Sequence, residues 1–211
     1  MNLKEFNSLT DLFFYQAEKQ DPTKIFLEWL NTINRKKFTW SETTANIYKL
    51  SKILKSYVKK GDRVLLLSEN RPEWLIADLS IMLANAITVP AYTTYTEKDY
   101  KYLIEDCEPS VVIVSNNAMH KKLEKTINEK NFIKKIITFD IISGINYGKK
   151  YLDFDSITKT NLSEEDKIKN VNLKRTSPAC IIYTSGTGGN PKGVILSHGG
   201  ILNNIQGANE I

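Results

Sequence analysis

Residues Tyr183 to Gly193 read Tyr-Thr-Ser-Gly-Thr-Gly-Gly-Asn-Pro-Lys-Gly. Thr184, Ser185 and Thr187 place hydroxyl donors on a short stretch of chain. Gly186, Gly188 and Gly189 let the backbone curl into a concavity whose N–H groups point inward. Lys192 adds a mobile point charge, and Pro191 stiffens the approach to it. Hydroxyls, inward amides and an ammonium suit a chain of phosphates. The competing reading is a glycine-rich surface turn. The density of hydroxyls and the Pro-Lys-Gly ending favour the phosphate reading.

Two familiar phosphate loops do not fit. The Walker loop needs Gly, four residues, then Gly-Lys-Ser/Thr at the head of a helix. Pro191 and Gly193 occupy its second Gly and its Ser/Thr. The dinucleotide fingerprint fails because Gly186-Thr187-Gly188 is followed by Gly-Asn-Pro. An apolar run, Ala179 to Ile182, precedes the stretch, and Val194 to Ser197 reads as strand, not helix. The loop therefore joins strand to strand without a helix dipole, leaving more of the holding to hydroxyls and Lys192. A kinase or GTPase loop would need a helix directly after it.

The elements that must position this loop alternate along the chain. Ser8 caps a helix reaching Gln20; Ile25 to Leu30 and Lys37 to Trp40 read as a hairpin. Thr39 with Glu42 forms a capping box for a helix whose Ile47, Leu50, Leu54 and Tyr57 share one face. Apolar runs at Arg63 to Ser68, Ile87 to Ala91, Val111 to Ser115 and Ile136 to Phe139 read as buried strands. Between them, Asn70 is expected to cap one helix, with Pro72 in its first turn. Thr96 with Asp99 caps another through Cys107, and a third spans Asn117 to Glu129. Arg71 and Glu73 read as a solvated helix start, and His120 as a surface residue. Residues 144–177 are polar and lysine-rich, with a helical patch near Leu152 to Ile157. They read as a surface excursion or a hinge.

Strands alternating with crossover-length helices predict an α/β fold: a doubly wound, mostly parallel sheet with flanking helices. Ligands on such sheets gather at the carboxyl ends of strands, where Ser68-Glu69-Asn70 and Ser115-Asn116 would lie.

The loop resembles the phosphate signature of the adenylate-forming, or AMP-binding, enzymes. Gly61-Asp62-Arg63-Val64, Ser68-Glu69-Asn70-Arg71-Pro72-Glu73-Trp74 and Leu196-Ser197-His198 are similar to the long-chain fatty acyl-CoA synthetase branch. The resemblance implies that residues 1–211 form the N-terminal portion of the family's large domain. It implies a fatty acid–CoA ligase using ATP, Mg²⁺ and CoA, with a fatty acid as the other small-molecule substrate. Thr184, Ser185, Gly186, Thr187, Gly188, Gly189 and Lys192 would hold the β- and γ-phosphates, and Thr184 would sit close to the metal. His198 would line the acyl or nucleotide pocket, or else bond backbone at a helix start. The family's remaining catalytic groups would lie downstream of Ile211, so the chain alone is expected to lack ligase activity. The alternative is a non-catalytic, nucleotide-binding product of a truncated or split gene. One departure stands out: Gly188 replaces the second Thr of the family's Thr-Thr pair.

The bulk properties agree. The chain has 211 residues, enough for one substantial core, with ordinary hydrophobic and charged fractions. The net charge of +5 suits anionic substrates. Lysines are spread throughout without a basic, aromatic-interleaved stripe, which argues against nucleic-acid binding. Cys107 and Cys180 lack metal spacing and read as reduced thiols, implying a cytoplasmic protein. The most apolar stretch, Trp74 to Tyr92, is broken by Asp78, Asn85 and Pro90, so membrane contact would be peripheral at most.

Overall fold

A computed structural model describes residues 1–30, 35–168, 171–184 and 191–208. Its main sheet has seven strands. In chain order these are β3 (Arg63–Leu67), β4 (Ile87–Ala91), β5 (Val111–Val114), β6 (Lys135–Thr138), β7 (Tyr151–Asp153), β8 (Pro178–Thr184) and β9 (Lys192–Ser197). Across the sheet the order is β7-β6-β5-β3-β4-β8-β9. All neighbours pair in parallel except β8 and β9, which form an antiparallel hairpin. A separate antiparallel pair, β1 (Ile25–Glu28) and β2 (Lys37–Thr39), precedes it.

Period-two alternation sorts each strand's side chains between two cores. Val64, Leu66, Val111, Ile113 and Ile137 face α1 (Leu9–Lys19), α2 (Trp40–Lys55) and α3 (Pro72–Leu83). Leu65, Leu67, Val112, Val114 and Ile136 face α4 (Glu97–Cys107) and α5 (Asn117–Glu129). Burying each of these branched side chains contributes about 1.5–3 kcal/mol, so the two faces hold the helices on both sides. The doubly wound α/β fold is therefore observed.

The helix starts follow local chemistry. Ser8 accepts from the Asp11 amide, and Thr39/Glu42 and Thr96/Asp99 make reciprocal capping boxes. Gly61 takes φ +83° in the turn that feeds β3, and its amide bonds the Asn85 carbonyl.

Several sequence expectations need correction. Asn70 does not cap α3: Arg71 holds the cap position, in extended conformation and with no side-chain cap bond. Pro72 opens the helix, and a residue before proline is driven out of the helical region, so the boundary moves one place along. Arg71 and Glu73 are not solvated; their side chains are 1% and 0% exposed. Arg71 donates to both Glu73 oxygens at 2.9 Å and to Asp140 at 2.9 and 3.1 Å, with its guanidinium 4.7 Å from the Trp29 ring.

His120 is likewise buried, with Nε2 3.0 Å from the Tyr151 hydroxyl. Its partner belongs to β7, an edge strand that the lysine-rich 144–177 stretch conceals. Within that stretch, α6 (Phe154–Thr158) buries Phe154 and Ile157 in the first core. Val194 to Ser197 is a strand as expected, but an exposed one: Val194 is 44% and Ile195 62% exposed on β9, the outer strand of the sheet among the described residues.

Candidate phosphate-binding hairpin

The hairpin stems are built for closeness. Tyr183 lies opposite Gly193 and Thr184 opposite Lys192, so a hydroxyl and an ammonium residue are paired at the end of the hairpin next to the loop. Both are solvent-exposed. The expected ligand residues Ser185, Gly186, Thr187, Gly188 and Gly189 lie outside the described residues. The element after the loop is strand β9, so a Walker-type strand–loop–helix arrangement is excluded.

Three residues that sequence reasoning missed touch the stems. The Tyr183 hydroxyl donates to the Asp106 carboxylate. The Tyr102 hydroxyl donates to the Pro191 carbonyl at 3.0 Å, and the Tyr95 hydroxyl reaches the Tyr183 carbonyl at 3.4 Å. They stand more than seventy positions earlier in the chain, so no local pattern points to them.

Beside the hairpin, at the carboxyl rim, lies a cavity of about 410 Å³. Ser68, Glu69, Asn70, Trp74, Pro90 and Ile182 are among the residues that line it. Asn116 donates to Glu69 at 2.9 Å, linking the two rim segments expected from the sequence. Burial works to raise the Glu69 pKa, but its hydrogen bonds and the Arg71 charge outweigh it and hold the carboxyl below the ordinary value. Glu69 is thus anionic at neutral pH.

His198 opens α7 (His198–Ala208) and is fully buried. Its Nδ1 accepts from the Leu9 amide at 3.3 Å, while Nε2 has no partner among the described residues. Burial pushes its pKa down to about 4. The histidine is neutral, and the hydrogen bond it makes goes to the N-terminal segment. Among the described residues, no group of three His, Cys, Asp or Glu side chains could hold a metal ion. No helix among them is long and apolar enough to cross a membrane.

A family description, AMP-binding enzyme, matches residues 13–211. The chain belongs to the AMP-binding enzyme family. Its curated relatives include fatty acyl-CoA synthetase A of Dictyostelium discoideum, 31% identical over 159 residues, covering 72% of this chain and 23% of the relative. The long-chain-fatty-acid–CoA ligase of Bacillus subtilis is 29% identical over 189 residues, covering 81% and 34%. The matched part of the chain thus spans from about a quarter to about a third of the length of these relatives. Among solved structures, acetoacetyl-CoA synthetase from Streptomyces lividans superposes with TM-score 0.83 at 18% identity, over 96% of this chain and 32% of that one. The anthranilate CoA ligase AuaEII, solved with anthranoyl-AMP, gives 0.80 at 21%, over 94% and 36%. At these identities the superpositions show the fold of an AMP-binding enzyme.

Proposed function

We propose that this chain is the N-terminal, phosphate-gripping portion of an AMP-binding domain in an ATP-dependent long-chain fatty acid–CoA ligase. In that reaction a fatty carboxylate oxygen attacks the α-phosphorus of ATP, and pyrophosphate leaves. The sulfur of CoA then attacks the acyl carbonyl, and AMP departs with the bonding electrons. The first step loads negative charge onto the departing diphosphate, so it is favoured by donors fixed where that charge develops.

The observation that carries this reading is the pairing of Thr184 with Lys192 across the mouth of the hairpin. Lys192 supplies a positive charge and Thr184 a hydroxyl, with Ser185, Gly186, Thr187, Gly188 and Gly189 between them in the chain. The ionised Glu69 argues for a division of labour. Its charge repels phosphates and carboxylates, so the rim cavity suits an uncharged part of the substrate against Trp74, Pro90 and Ile182. The anionic groups fall to the hairpin.

Magnesium fits less well. Thr184 offers one neutral hydroxyl, whereas Mg²⁺ binds through carboxylates, waters and substrate phosphates. A magnesium ion arriving with ATP would be carried by the phosphates, and no step is assigned to it. Cys107 and Cys180 are free and buried, which suits a reducing compartment, and we place the protein in the cytoplasm with peripheral membrane contact at most.

Titration with MgATP tests the reading. Lys192→Ala removes a charge-assisted contact worth about 1.5–3 kcal/mol, so ATP affinity is expected to fall about 10- to 150-fold. Affinity unchanged in Lys192→Ala rejects the hairpin as the phosphate site. The 211-residue chain alone is expected to show no fatty-acid-dependent pyrophosphate exchange. Robust exchange would show that it needs no further catalytic groups.

A further inference from the structure

Both stems of the hairpin are tied to one helix. The Tyr183 hydroxyl donates to Asp106, next to the C-terminal residue of α4, and thereby holds the β8 stem. Tyr102, four residues earlier on the same helix face, donates to the Pro191 carbonyl and holds the β9 stem. Tyr95, just ahead of the Thr96 cap of α4, reaches the Tyr183 carbonyl. Tyr183 and Pro191 bracket the loop on its two sides.

Among the described residues the sheet holds β9 along one side. Among these residues β9 is the outer strand and its ladder partner is β8, which runs parallel to β4 with Thr88 opposite Cys180. An outer strand paired on one side has more freedom than one paired on both. The contacts from α4 remove this freedom by fixing both stems to a rigid, capped helix. They also sit where global stability gains little: Asp106 is exposed and Tyr102 half-buried. Polar contacts at such places contribute modestly to folding, so their effect on placement is separable from their effect on stability.

We infer that Tyr102 and Asp106 are positioning residues. They set the separation and orientation of the two stems, so that Thr184 and Lys192 present their donors together. This rests on the reading of the hairpin as a phosphate grip. Donors held in place beforehand bind a ligand more tightly than donors that the ligand must order.

Three variants of the protein expressed from its own gene test the inference. Tyr102→Phe removes one oxygen and keeps the ring. Asp106→Ala removes the acceptor. Asp106→Asn keeps a carbonyl oxygen for the Tyr183 hydroxyl and serves as the conservative rescue. The readouts are ATP affinity, amide hydrogen exchange at Tyr183, Thr184, Lys192 and Gly193, and the melting midpoint. Tyr102→Phe and Asp106→Ala should each bind ATP about two- to tenfold more weakly, the value of one ordinary hydrogen bond. Their stem amides should exchange faster, while Asp106→Asn stays close to wild type and melting moves by no more than about 2–4 °C. Affinity and exchange both equal to wild type in Tyr102→Phe and Asp106→Ala overturn the positioning role alone. A wild-type protein that binds no ATP overturns the phosphate reading, and the positioning role with it.

Discussion

Ile181 Cγ2 occupies the space that a side chain on Gly193 would need. A methyl group at Gly193 would stand 3.2 Å from Tyr183 Cζ and 2.9 Å from Ile181 Cγ2. The glycine therefore lets β8 and β9 close on each other directly below the loop. Gly193→Ala must push the Ile181 side chain or the strand aside and crowd the Tyr183 ring, at a cost of about 1–3 kcal/mol. Thermal unfolding should show a melting midpoint lowered by roughly 2–10 °C. An unchanged midpoint would mean that the hairpin relaxes freely, contrary to this packing.

Arg71 cannot be removed cheaply. Truncating it leaves Glu73, whose side chain is 0% exposed, with Lys36 at 3.0 Å as its remaining ion-pair partner. Stranding a buried charge typically costs about 3–5 kcal/mol, and that loss is expected for Arg71→Ala in urea denaturation. Adding Glu73→Leu to Arg71→Leu removes both buried charges together. The double variant should lose less than Arg71→Ala, and a purely additive loss would contradict a coupled pair.

His198 links stability to acid. Burial holds its folded pKa near 4, below the ordinary 6.5, so the unfolded chain takes up the proton first as pH falls. Its contribution is full above pH 6.5 and is lost progressively down to about pH 4. The loss amounts to about 3 kcal/mol. Asp78, pushed up to about 6 by burial, titrates in the opposite sense across much of the same range. The informative quantity is therefore the stability difference between wild type and His198→Gln, followed from pH 7 to pH 4. That difference should shrink on acidification, and a constant difference would remove His198 from the account.

Gly188 is where the loop departs from the pattern it resembles. Gly188→Thr restores a hydroxyl donor toward a charged ligand, a contact worth about 1.5–3 kcal/mol. Isothermal titration with MgATP should show affinity about tenfold or more higher in the variant. Equal affinity would mean that the missing hydroxyl contributes nothing to binding.

Much of the architecture was legible because its causes are local. Thr39 with Glu42 and Thr96 with Asp99 announced their helices, since a capping box is satisfied within four residues. The apolar runs of β3, β4 and β5 announced strands covered on both faces. Asn70 misled because the conformational rule set by Pro72 outranked side-chain capping preference. Arg71, Glu73 and His120 misled because polarity suggests water, whereas Asp140, just past β6, and Tyr151, in β7, are brought to Arg71 and His120 from far along the chain.

The amino-acid sequence by itself determined the alternation of helices and strands, and with it the doubly wound sheet, because hydrophobic period and capping act over a few residues. It also determined the chemistry available between Tyr183 and Gly193. Only the tertiary structure decided how that chemistry is held. Tyr102 and Asp106 reach the hairpin stems, and Arg71 finds its acids, through contacts between distant segments. Such contacts depend on how strands are ordered across the sheet, which no short-range pattern encodes.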